Sequence, residues 1–321
     1  MSPTTPEHER GTWDELLEAL DRPHSGAVSW LVAPASDPHG PSQVFWAGFP
    51  EPVLPGCPDS SVARLISGIY AAEPRMARKW VRGRIFTTQK SLTSLCRGIV
   101  KVAAKRITRV VPSPSSPEIE ALMELRGRAL VRKLPATPRT GGADPAALEF
   151  PADDILHSPD EVIAELRRLR QEHVRAGASG PQHRYERDRD VIALLVDREG
   201  RVLARARNTN ATERTRHAEM NLVQGWWEHH RRPLPAGCTL WVTLKPCRMC
   251  AGAIWEAARN PHDATRDLRV RYLEDDPGPN ARLTVLEAGS PERLQAVQDA
   301  RLPHEWTHCE IQVPLLQPVL C

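Results

Sequence analysis

The sequence has no uncharged apolar run approaching the ~18 residues that a membrane-spanning helix requires, so a transmembrane protein is not expected. Its opening, Met1 to Glu7, lacks the basic and apolar regions of a secretory signal. Seven cysteines are an odd number, and two of them form a Cys-x-x-Cys pair. That argues against a disulfide framework and for a reducing cytoplasm. Lysine is scarce, with 6 among the 43 basic residues. Arginine suits planar, two-pronged contacts to phosphate, although a codon bias toward Arg, Ala and Pro explains the imbalance equally well. Acidic residues are missing altogether between Arg75 and Arg109, where 11 basic residues fall. Because the whole chain carries only +3, removing those 11 charges leaves −8 on the rest. The near-neutral average therefore hides one strongly basic segment on a mildly acidic protein.

What is present fits a folded, two-domain protein. A length of 321 residues suggests two domains at about 150 residues each, and 40% hydrophobic with 26% charged residues excludes wholesale disorder. Thirty prolines, about 9% of the chain against a usual ~5%, predict long irregular connections. They concentrate with small residues between Pro135 and Asp160, which reads as an interdomain connection. The boundary is placed near residue 150, giving domains of 1–150 and 151–321. In the first, Trp13 to Leu20 and Ser60 to Ala72 read as helices and Ala27 to Val32 and Gln43 to Phe49 as strands, an α+β domain. In the second, Glu161 to Ala176 is an amphipathic helix. Val191 to Val196 and Val202 to Ala206 form a hairpin with Gly200 at its turn. A helix then starts near His217, Thr239 to Leu244 is a strand, a helix starts near Cys247, and Leu268 to Tyr272 is a strand. This alternation implies parallel strands with crossover helices.

Two segments in that second domain carry chemistry: His217-Ala-Glu219 and Pro246-Cys247 through Cys250. Zinc takes four ligands from thiolate, imidazole and carboxylate, and a catalytic zinc keeps one place for water. His217, Cys247 and Cys250 supply three. Cysteines three apart at a helix start lie on one turn, where the positive end of the helix dipole favours thiolates; Pro246 fits such a start. His217 and Glu219, two apart, would diverge in a helix body, but at the first turn both can reach one point beyond the open end. Glu219 then stands beside the water as a proton carrier rather than as a ligand. A structural zinc knuckle or a redox Cys-x-x-Cys pair would account for the cysteines alone, but neither requires His-Ala-Glu 30 residues upstream.

His-x-Glu followed by Pro-Cys-x-x-Cys is the signature of the zinc nucleobase deaminases. Residues 189–274 resemble the core of the cytidine deaminase-like superfamily, and Thr243 to Ile254 is particularly similar to its tRNA adenosine deaminase branch. The resemblance implies an α/β fold: a three-layer α/β/α domain with a mixed five-stranded sheet, preceded here by the smaller α+β domain. It implies one Zn2+ on His217, Cys247 and Cys250 with water as the fourth ligand, Glu219 as the proton shuttle, and Asn208 as the residue whose amide holds the base, with Asn210 competing for that role. The implied reaction is hydrolytic deamination, with attack at C6 of adenine or C4 of cytosine. Histidine as first ligand is more like the nucleic-acid and base deaminases than the free cytidine deaminases, and the cysteine spacing disfavours a riboflavin-type deaminase. Three features depart from the tRNA branch: Lys245 where a glutamate usually stands, a Trp226-Trp227-Glu-His229-His230 patch, and the long N-terminal region. That region resembles a bacterial two-domain branch for which RNA editing has been suggested. Members of the superfamily often assemble, which leaves room for a homo-oligomer.

If Lys90 to Arg106 is helical, Arg97, Lys101 and Lys105 follow at i, i+4, drifting only ~40° per step, opposite Leu92, Leu95, Cys96, Ile99 and Ala103. Such a stripe could track the phosphates of RNA, and less readily of DNA, in a salt-dependent way. A solvated helix face is the plainer explanation. Trp80 could stack on a base, but with Trp226 and Trp227 it reads more naturally as packing. His229, His230, His304, His308, Cys57, Cys96, Cys238, Cys309 and Cys321 lack ligand spacing and receive no role. The expectation is a cytoplasmic zinc-dependent deaminase of a base in RNA. A deaminase of free nucleosides or bases, and a non-catalytic zinc scaffold that binds RNA, are the alternatives.

Overall fold

A computed structural model describes residues 12–22, 26–35, 39–50, 56–113, 115–134, 147–178, 187–258, 268–299 and 316–318. The first residues, residues 135–146 of the Pro135 to Asp160 connection, and His304, His308, Cys309 and Cys321 lie outside them. The chain divides into two compact units. One comprises Met1–Leu54, Asp59–Leu92 and Ala103–Pro138; the other comprises Pro55–Pro58, Thr93–Val102 and Arg139–Cys321. The segment Thr93–Val102 thus joins the second unit although it lies well before residue 150 in sequence.

The first unit is built on a five-stranded sheet in the order β4-β3-β1-β2-β5, from β1 (Ala27–Ala33), β2 (Ser42–Phe49), β3 (Arg84–Thr87), β4 (Arg106–Arg109) and β5 (Ala129–Lys133). Strands β1 and β2 pair antiparallel with Trp30 opposite Trp46, while β3–β4 and β2–β5 are parallel. Helix α1 (Trp13–Asp21) starts at a capping box in which Thr12 and Glu15 satisfy each other's backbone donors. It lays Leu16 and Leu20 on Val28, Trp30, Val44 and Trp46, together with Ile119 and Leu122 of α5 (Pro117–Met123). Helices α2 (Ser61–Ala72) and α3 (Pro74–Trp80) complete the unit. Trp80 is 2% exposed and its ring lies 5.4 Å from that of Phe45, which makes it a core residue and removes it as a base-stacking platform.

The second unit has the expected mixed sheet with helices on both faces, but with six strands rather than five, because short segments pair at its edges. Its order is β11-β10-β9-β7-β8-β6, from β6 (Leu148–Glu149), β7 (Ile192–Val196), β8 (Val202–Arg207), β9 (Thr239–Leu244), β10 (Arg269–Glu274) and β11 (Leu316–Pro318). β7 pairs antiparallel with both β8 and β9, and β9–β10–β11 are parallel. β8 and β9 therefore run in the same direction, but with β7 between them. Helix α6 (Pro159–Arg175) begins at Ser158, whose hydroxyl accepts from Glu161 N, and buries Val162 and Leu166 against Ile192, Leu194, Val196 and Trp241. Alternation turns Ala193 and Leu195 to the other face, where α7 (Ala218–His230) lies against β7 and β8. Helix α8 (Arg248–Ala257) follows β9 and packs on α7.

The basic helix is shorter than the periodicity predicts. It is α4 (Ser94–Val102), after which the chain turns and enters β4 at Arg106, so Arg97 and Lys101 share a helix and Lys105 does not. Leu95, Cys96 and Ile99 are buried as expected, and α4 packs closely on α8. The glycines make this approach possible. A Cβ on Gly98 would lie 2.4 Å from Met249 Cα, and one on Gly252 would lie 2.5 Å from Leu95 N.

Candidate metal centre and base pocket

The two chemical segments stand at the starts of two helices that pack on one another. His217 is the N-cap of α7 and Cys247 the N-cap of α8, both in extended backbone conformation and neither using its side chain to cap. Each side chain is therefore left to point beyond the helix end. His217 Nδ1 lies 3.6 Å from Cys247 Sγ and 3.5 Å from Cys250 Sγ, and the two sulfurs are 3.6 Å apart. Among the described residues this is the group of His, Cys, Asp and Glu placed to hold a metal. Two buried sulfurs and one imidazole form a borderline-soft donor set, which suits zinc and is poor for magnesium or calcium. The residues present therefore fit the ion.

Electrostatics at the cluster follow from burial and proximity. The hydrogen bond between the two sulfurs, with the nearby imidazole, holds the Cys247 thiol well below its ordinary value despite burial. Burial, and then the same hydrogen bond, push Cys250 up. Burial alone would lower the His217 imidazolium, but the charge and hydrogen bond of Cys247 outweigh it and the net direction is upward. Glu219, one residue into α7 and 3% exposed, is pushed up to about 7 by burial, with His217 opposing.

The cluster opens on a small cavity, about 10 Å³ by the centre of a water-sized sphere, lined by His217, Glu219, Cys247, Asn208, Arg189, Val191, Leu244, Lys245 and Asp276. Asn208 is 1% exposed and follows the last residue of β8. Its Oδ1 accepts from Ala218 N at 2.5 Å and its Nδ2 donates to Asn210 Oδ1 at 3.2 Å. Asn208 thus ties the strand end to the start of α7 while facing the cavity. Asn210 takes the supporting place behind it, accepting also from Arg189 N at 2.9 Å. Lys245 reaches Glu287 at 2.7 Å and Asp275 at 3.9 Å.

Other residues fall elsewhere. Trp226 and Trp227 are buried, and Trp226 Nε1 donates to Pro233 O at 3.1 Å, a packing role. His229 stacks on Phe150 at 4.6 Å. Cys57, Cys96 and Cys238 are buried and form no disulfide among the described residues. Arg189, Asp276 and Leu244 carried no spacing signal in the sequence, because their place at the cavity depends on how strand ends meet across the sheet.

Comparisons with known proteins point to deaminases. Profiles of the Bd3614-like deaminases match the chain twice: the deaminase domain over residues 182–296 and the family's N-terminal domain over residues 23–111. The chain belongs to the cytidine deaminase-like superfamily. Within this superfamily it is 38% identical over 98 residues to a tRNA-specific adenosine deaminase of Agrobacterium fabrum, a match covering 27% of this chain and 64% of that protein. It is also 39% identical over 69 residues to a tRNA(Ile)-lysidine synthase of Deinococcus deserti, over 21% of this chain and 13% of the synthase. The chain thus spans less than two thirds of the length of either relative. Among solved structures, a deaminase studied for A-to-I editing at the wobble position of transfer RNA aligns over 49% of this chain and 99% of its own, at 23% identity and a TM-score of 0.31. A guanine deaminase from Nitrosomonas europaea aligns over 57% and 85%, at 17% identity and a TM-score of 0.31.

Proposed function

We propose that the protein is a zinc-dependent hydrolytic deaminase of a nucleobase, adenine or cytosine, within RNA. The observation that carries this reading is the meeting of three zinc-type donors within 3.5–3.6 Å at two helix starts, with Glu219 lining the same cavity. His217, Cys247 and Cys250 would hold the ion, which supplies acidification of a water nucleophile and stabilisation of its charge. Glu219 accepts the proton of the attacking water. As the new C–O bond forms at C4 of cytosine or C6 of adenine, Glu219 delivers that proton to the adjacent ring nitrogen, N3 or N1. A second proton, passed through the same carboxyl, goes to the departing amine, the C–N bond breaks and ammonia leaves. Asn208, fixed by Ala218 N and Asn210, holds the base. Because the reacting carbon is hidden in a stacked duplex, a loop or flipped base is the substrate form.

RNA is favoured by the relative named for its action on tRNA and by the basic segment. All charges of that segment except that of Arg78 are on exposed residues. Glu219→Gln tests the chemistry: zinc content should stay at one per chain while turnover is lost, and full turnover in this variant would end the reading. Cys247→Ala should instead lose metal, read by elemental analysis. Sequencing RNA with and without the gene should show A-to-G or C-to-T changes that vanish in the deletion. Ammonia release from free nucleosides alone would move the substrate to small molecules.

A further inference from the structure

Among the cavity-lining residues that the deamination chemistry leaves unused is an arginine. Arg189 precedes β7 and lines the same cavity as Glu219 and Asn208. Its backbone is held on both sides: N–H donates to Asn210 Oδ1 at 2.9 Å, and the carbonyl lies 3.1 Å from His173 Nε2. Asn210 in turn receives Asn208, which receives Ala218 N at the start of the helix bearing Glu219. The position of Arg189 is therefore coupled by short bonds to the position of the proton carrier.

Its side chain is, by contrast, under-used. A guanidinium carries five N–H donors and is always charged. The contact it makes among the described residues is Nη1 to Asp276 Oδ2 at 3.5 Å, long for a charged hydrogen bond, and the buried Nε has no partner. A buried, unsatisfied donor of a cation is costly, and a ligand acceptor in the cavity would satisfy it.

Resting on the deaminase reading, we infer that Arg189 is a specificity-determining residue whose guanidinium donates to the base acceptor conjugated with the reacting carbon, O2 of a cytosine or N3 of an adenine. The chemistry gives this contact a direction. Attack at the amino-bearing carbon moves the C=N electron pair onto the ring nitrogen that Glu219 protonates, and the acceptor next along the conjugated path gains negative charge. A fixed cation there binds more strongly as the reaction proceeds. Asp276 acts as the resting partner of Arg189, and its long contact is the one given up when the base arrives.

The test uses the full-length, zinc-loaded protein and two ribosides that lack the amine and cannot be deaminated: pyrimidin-2-one riboside, which keeps O2, and purine riboside, which keeps N3. Arg189→Met should weaken binding of one of them about tenfold or more, with zinc content unchanged, and Arg189→Lys should recover only part of that affinity. The riboside affected names the acceptor. Replacing that acceptor in the probe, by 2-thio in the pyrimidine or 3-deaza in the purine, should cost wild-type protein a similar factor and cost Arg189→Met nothing more. This ligand-side change needs no mutation, so it decides the matter even if Arg189→Met melts early. Wild-type binding that is indifferent to both probe changes overturns the role of Arg189 and leaves the deaminase reading standing. Failure of wild-type protein to bind either riboside, both free and built into a single-stranded RNA, overturns both.

Discussion

His173 shows how one buried side chain sets a pH limit on the fold. It is 5% exposed, on the last turn of α6, with Nε2 near Arg189 O and Nδ1 buried without a partner. Burial lowers its pKa and the Arg207 charge adds to this, against weaker opposition from Asp188 and Asp190. By linkage, a histidine depressed in the folded state is protonated more readily in the unfolded one. Stability from His173 is therefore fully present above the ordinary histidine value of 6.5 and is lost as pH falls toward the folded value. Melting temperatures measured from pH 7.5 to 5.5 should fall less steeply for His173→Gln, which keeps a donor for the Arg189 carbonyl, than for wild type. Identical slopes would refute the assignment. At this scale the metal cluster was legible in the sequence because its spacing is local: His217 and Glu219 share one turn, as do Cys247 and Cys250. Arg189 was not, since it comes to the cavity through a tertiary hydrogen bond with Asn210.

Among the elements, those whose boundary is a local signal agreed with the pattern to within a residue or two. Ser60, Ser158 and the apolar run of Thr239–Leu244 are such signals. The short strands β3 and β4 and the early end of α4 were not readable. Four-residue strands inside a basic, mixed stretch have no period to detect, and α4 stops because the chain must enter the first unit's sheet at Arg106. Its helical part is instead defined by its fit to α8. Gly98 meets the backbone of Arg248 and Met249, the residues between the two cysteines, with a Cβ placed 2.4–2.6 Å from their atoms. Backbone on both sides cannot give way as a flexible side chain would. Gly98→Ala should therefore destabilise the protein by about 1–3 kcal/mol and lower zinc retention during dialysis, because the displaced segment is the first turn of the cysteine helix. Gly48→Ala in β2, where the nearest atom is 4.0 Å away, is the control and should leave zinc unaffected. Equal zinc retention in Gly98→Ala and wild type would mean that α4 does not brace the metal helix.

For the whole molecule, the decisive quantity is how charge is divided between the two units. The 11 positive charges of Arg75–Arg109 are exposed except at Arg78, and they belong to both: Arg97 and Lys101 to the second unit, the others to the first. In the first unit Arg84 and Arg106 are register partners on neighbouring strands, with Arg109 further along the edge strand β4. In the second, Arg97 donates to Gln295 at 2.5 Å, a neutral partner that leaves its charge uncompensated. If RNA follows these cations, log affinity should fall linearly with log salt, with a slope of about −0.7 for each phosphate neutralised on a single strand. Reversing Arg84, Arg106 and Arg109 to glutamate, and separately reversing Arg97 and Lys101, measures each unit's share. Each set that touches RNA should weaken binding and flatten the slope by at least about 0.7 for every phosphate no longer neutralised, while turnover of a free nucleoside, if any is detected, stays unchanged. A slope altered only by the first set would make the N-terminal unit the RNA-holding part and α4 a structural brace for the cysteine helix. A slope altered by neither would remove the basic segment from substrate binding altogether.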